Sequence, residues 1–138
     1  QQKLRKTILF VSHDIDEAVK MADRIAIFRA GRLVQFAAPD TMLAHPADEF
    51  VAGFVGSDRT LKRLRLIRVR EIMAPAAAGG ACAAGAPAVA PDDDLRRVAT
   101  LFLEHGLDVL ACVGADGSLV GHVTRTAVAA RLAAEVAP

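Results

Sequence analysis

The 138-residue sequence predicts an α/β fold in two successive parts, and three observations carry that expectation. Residues 8–11, Ile-Leu-Phe-Val, form a short apolar run closed by the polar Ser12-His13-Asp14. That is the pattern of a buried parallel strand, whose carboxyl end is where open α/β sheets handle ligands. Apolar residues then recur at helical spacing, at Ile15, Ala18, Val19 and Ala22. A second alternation of strand and helix follows over residues 69–136, beyond a break at Gly56-Ser57-Asp58.

Each element has its own warrant. A strand is expected over residues 7–12 and a helix over 15–21, capped by Asp14 or Ser12, with Asp16 and Glu17 where the helix dipole favours negative charge. Residues 24–29 and 32–36 read as a hairpin about Ala30-Gly31. Pro39-Asp40 opens a helix through about Ala44, and a further helix spans 47–55 with Phe50, Val51 and Phe54 on one side. His45, without a metal partner nearby, reads as structural. Residues 59–70 carry Arg59, Lys62, Arg63, Arg65, Arg68 and Arg70 interleaved with leucines, the pattern of a solvated linker helix or of an anion-facing surface. Residues 74–90, rich in Ala, Gly and Pro, read as a loop. Pro91 and three aspartates then start a helix, closed by His105-Gly106. The aspartates lack the alternate spacing of a calcium loop and read as capping residues. A strand over 108–113, a turn at Asp116-Gly117, a strand over 119–123 and a helix from Arg125 to about Val136, capped by Thr124, complete the chain.

Composition narrows the function classes. A net charge of +1 singles out no partner, and 4% aromatics with no Trp or Tyr leave little to stack on nucleic acid, so no nucleic-acid role is expected. Cys82 and Cys112 lack metal spacing and read as reduced thiols; no metal site is expected. No apolar run reaches the roughly 18 residues of a membrane span. No G-x-x-x-x-G-K-[ST] loop occurs in these residues, so nothing in them cradles a triphosphate.

The order of the apolar strand, Ser12-His13-Asp14, Glu17-Ala18, Ala22-Asp23-Arg24-Ile25, the Gly31 turn and Pro39 resembles the end of an ABC-transporter ATP-binding subunit over about residues 1–56. The wording HDIDEAVKMADRIAIFRAGRLVQ is most similar to importers of glycine betaine, proline betaine and related osmoprotectants. The resemblance implies a C-terminal fragment of a P-loop ATPase domain, with residues 1–6 as the last turns of a helix. His13 then takes the position of the switch histidine, which meets the γ-phosphate of ATP, bound with Mg²⁺, across a dimer of ATPase domains. It also implies a transmembrane permease partner and a place on the cytoplasmic face of the membrane. The fragment by itself is expected to be inactive, since the phosphate cradle lies elsewhere in the family's pattern.

Residues 69–138 resemble a single α+β CBS motif, through Val69-x-x-Ile72-Met73, Ala88-Val89, Leu107-Asp108-Val109-Leu110, Asp116-Gly117 and Gly121-His122-Val123-Thr124. Residues 57–68 are left as a basic linker, facing anionic lipid or polyphosphate in the functional reading. Gly121, Val123 and Thr124 match a segment that holds adenine nucleotides in such motifs, with His122 beside it either touching a phosphate or facing the sheet, but the acidic position is Ala127, which cannot accept from ribose hydroxyls. Capping is therefore the plainer role for Thr124. CBS motifs pack in pairs, which implies a homodimer through this motif as well as through the ATPase part. The competing reading is a stand-alone sensing or dimerising CBS module without catalysis.

Overall fold

A computed structural model describes residues 7–76 and 85–134. The expected helix remnant at 1–6, residues 77–84 of the Ala/Gly/Pro-rich loop with Cys82 among them, and the last turn expected toward Val136 lie outside the described residues.

The first half contains helix α1 (Ile15–Met21), a hairpin of β1 (Ile25–Arg29) and β2 (Arg32–Ala37), and helices α2 (Pro39–Ala44), α3 (Glu49–Val55) and α4 (Arg59–Arg63). Local chemistry sets the ends. Asp14 caps α1, accepting from the Asp16 and Glu17 amides at 2.8 and 3.3 Å, and Asp48 caps α3 through the Val51 amide at 2.8 Å. Pro39 opens α2 where its missing N–H costs nothing. The hairpin turns through Ala30 and Gly31, both at positive φ, 48° and 75°. Gln35 fastens the hairpin to the next connection: its side chain donates to the His45 carbonyl and accepts from the Ala47 amide, each at 2.9 Å. Val19, Ile25, Ile27, Ala37, Met42, Leu43, Val51 and Val55 form one buried apolar cluster.

The second half begins with a short 3₁₀ turn, Val69–Glu71, and carries strands β3 (Ala74–Pro75), β4 (Ala88–Val89), β5 (Val109–Val113) and β6 (Leu119–Thr124) with helices α5 (Leu95–His105) and α6 (Arg125–Ala133). Its sheet has the order β3-β6-β5-β4, antiparallel except for β4 beside β5, which α5 connects. Asp94 caps α5 at the Arg97 amide, and Gly106 ends it in the left-handed conformation at φ 63°. Along β5, Leu110 and Cys112 point into a cluster that also holds Ile67, Val69, Val89, Leu95, Val98, Phe102 and Val123.

Two expectations fail. Residues 7–12 form no strand and belong to neither sheet; Leu9 is 91% exposed, and Ile8, Phe10 and Val11 are exposed with it. An apolar run becomes a strand only where neighbours take its N–H and C=O groups, and no described strand flanks this one. The solvated linker helix is also corrected. Helix α4 stops at Arg63, and Arg63 is buried, 5% exposed, in the seam between the two halves. Its guanidinium reaches Asp40 at 2.6 Å and the Leu132 carbonyl at 2.8 Å, while Arg131 reaches the same carboxylate at 3.2 Å. The seam is therefore closed by one carboxylate between two arginines.

Candidate functional site

The candidate site is the turn 12–14 ahead of α1. Ser12 and Asp14 brace it. The Asp14 amide donates to Ser12 Oγ at 3.0 Å, and Ser12 Oγ donates to Glu17 at 3.2 Å. These bonds and the Asp14 cap hold the backbone on both sides of His13. The His13 imidazole itself is exposed, and among the described residues it makes no hydrogen bond or ion pair. An imidazole so placed can donate to, or accept from, an oxyanion or a water brought to it. Among the described residues no phosphate cradle surrounds it.

Gly121, His122 and Thr124 lie on the second half, on β6. Thr124 Oγ1 accepts from the Ala127 amide at 3.0 Å, capping α6. Gly121 is needed for packing: a Cβ there would stand 2.5 Å from the Ala74 carbonyl of β3. His122 is exposed, paired in the ladder with Ala74 and Ala111. His13 and these three residues thus sit on separate halves. Cys112 is buried and free, and burial, reinforced by the charge of Asp93, raises its thiol above the ordinary range.

The basic run does not present a continuous cationic face. Arg63 is in the seam, Arg70 pairs with Asp92 at 2.5 Å, and Arg68 donates to the Asp92 carbonyl at 3.2 Å. Lys62 pairs with Asp16 and Asp58, each at 3.1 Å, and donates to the Val55 carbonyl at 2.8 Å. Burial pulls its ammonium down, but hydrogen bonds to Asp58 and Asp16 and the charges of those carboxylates outweigh it, leaving Lys62 above the ordinary lysine value. Nothing local in the sequence signals the Arg63–Asp40–Arg131 contact, in which Asp40 lies 23 residues from Arg63 and 91 from Arg131.

Comparison with known proteins supplies the class: over about nine-tenths of its length the chain is similar to ATP-binding subunits named as importers of osmoprotectants, glycine betaine or carnitine, and it matches a C-terminal part of them. It is 43% identical, over 91% of its length, to the osmoprotectant import ATP-binding protein OsmV of Salmonella typhimurium, of which the match covers 31%. It is 39% identical, over 89% of its length, to the glycine betaine/carnitine/choline transport ATP-binding protein OpuCA of Bacillus subtilis, covering 30% of that protein. It is 35% identical over 86% of its length to the glycine betaine uptake system ATP-binding protein YehX of Escherichia coli, covering 37%. The chain thus spans about three-tenths of the length of the first curated relatives it matches. No family model and no solved structure matches it.

Proposed function

We propose that this chain is the part of an osmoprotectant importer's ATP-binding subunit that contributes the switch histidine and a regulatory module. The observation that carries the reading is His13: a solvent-facing imidazole on a turn fixed by Ser12 and Asp14, within a sequence aligned to ATP-binding transport proteins. In the whole subunit His13 meets the terminal phosphate of ATP and helps orient the attacking water. The phosphate cradle and the Mg²⁺ ligands come from the remainder of that subunit. A transmembrane permease is its partner, at the cytoplasmic face of the membrane. Among the described residues no helix is long and apolar enough to cross a membrane. The 138 residues alone do not hydrolyse ATP on this reading.

The second half acts as a CBS-type module that pairs with a copy of itself. Support comes from its own buried cluster and from large apolar side chains left outside it, Leu103 at 81% and Val109 at 52% exposed. A monomeric mass by light scattering at micromolar concentration counts against the pairing. An adenine nucleotide at Gly121, His122 and Thr124 is the weaker reading, since Thr124 is engaged as a cap and Ala127 offers no carboxylate.

The test is ATP hydrolysis by the complete subunit assembled with its permease. His13→Ala is expected to lower hydrolysis about a hundredfold or more while ATP binding persists. Undiminished hydrolysis overturns the role given to His13.

A further inference from the structure

A cleft of about 250 Å³ opens where α1 meets the segment that follows α4, lined by Asp16, Val19, Lys20, Lys62, Arg65, Leu66 and Arg68. Four of these seven residues are cations and one is an acid, in a chain whose 17 Lys and Arg nearly balance 16 Asp and Glu. The acid is already answered. Asp16 is held by Lys62, which also takes Asp58 and the Val55 carbonyl, so Lys62 is committed to the protein. Lys20, Arg65 and Arg68 remain. Among the described residues neither Lys20 nor Arg65 forms an ion pair, and Arg68 makes one 3.2 Å bond to a carbonyl, with further donors on the same guanidinium.

Three cations drawn from two elements around one recess repel one another, and an anion relieves that repulsion. We infer that this cleft binds a small, soluble phosphate-bearing anion. Two arginines among the ligands favour phosphate, whose oxygens match the guanidinium fork. Size limits the ligand: the recess lies just under the roughly 300–1,000 Å³ of drug-sized pockets, so it takes a phosphate or pyrophosphate group and little else. Recession favours a free anion over a lipid surface, because Lys62 lies within the cleft with its side chain 14% exposed, beyond the reach of a flat bilayer.

Occupancy would join the two halves. Val19 of α1 belongs to the first apolar cluster and Leu66 packs against it, while Leu64 and Ile67, on either side of Leu66's segment, belong to the second. An anion held by Lys20 on one side and Arg65 and Arg68 on the other therefore ties α1, the helix behind His13, to the connection leading into the second half. This site is separate from the nucleotide contact proposed for His13, and its test does not depend on that reading.

The experiment titrates the 138-residue chain with pyrophosphate at constant ionic strength, followed by calorimetry and by amide chemical shifts. Saturable binding is expected, with shifts clustered at Lys20, Arg65 and Arg68. Lys20→Gln and Arg65→Gln, both exposed and without ion partners among the described residues, should each weaken it about tenfold, the loss of one charge-assisted contact. Arg96→Gln, an exposed cation on α5 outside the cleft, should leave it unchanged. The inference is overturned by the absence of saturable binding, by equal weakening in Arg96→Gln, by binding undiminished in both cleft variants, or by binding confined to phosphatidylglycerol vesicles.

Discussion

Residues 8–11 and β5 look alike in sequence and end in opposite places. Both are short apolar runs closed by polar or turn-forming residues. Leu110, in β5, is 1% exposed between β4 and β6; Leu9, in the middle of Ile-Leu-Phe-Val, is 91% exposed. Hydrophobicity is therefore not what separates them. β5 exchanges backbone hydrogen bonds with a strand on each side and is covered by α5 and α6, whereas the earlier run has no described strand beside it. A buried strand belongs to the sheet around it, and its residues alone do not bring one into being. The same contrast governs charge: Asp40 and Arg63 are ordered by partners distant in sequence, while His13 faces solvent with none among the described residues.

Substitutions can break or sharpen this contrast. The largest effect is expected at the seam. Asp40→Asn leaves Arg63 buried beside an uncharged amide, and removing one partner of a buried pair costs about 3–5 kcal/mol. Denaturant unfolding should show the midpoint falling accordingly. Leu110→Ala should cost about 2–5 kcal/mol in the same assay, because it empties part of a closed cluster. Leu9→Ala, the matching change in the other run, should shift stability by less than about 0.5 kcal/mol. Equal costs at Leu110 and Leu9 would erase the distinction. Between these falls Thr124→Ala, which removes the cap of α6 and should cost about 1 kcal/mol, with Thr124→Ser restoring most of it.

Much of the fold could be read from local chemistry. The limits of α1 and α2 follow from Asp14 and Pro39, and the end of α5 from Gly106, because caps and turns act within a few residues. What escaped depends on distance along the chain. The strand expected at 7–12 rests on a short apolar run closed by polar residues, which carries no count of neighbours. The basic run looked solvated because the carboxylate that buries Arg63 lies 23 residues earlier and its carbonyl partner 69 residues later. Gly121 fits a ligand segment by sequence, yet its smallness is required by the approach of Ala74. His13 is legible as a candidate through its Ser-His-Asp setting, and the structure leaves it exposed on the turn that Ser12 and Asp14 brace.

The most direct measurement is amide hydrogen exchange at Ile8, Leu9, Phe10 and Val11. It should be made in the 138-residue chain and in a polypeptide of the relatives' length that contains it. Exchange close to the unprotected rate in the first and strong protection in the second is expected, since only the longer chain supplies strands on either side. Equal protection in both would contradict the view that this segment, and the histidine at its tip, await a sheet supplied by the rest of the subunit.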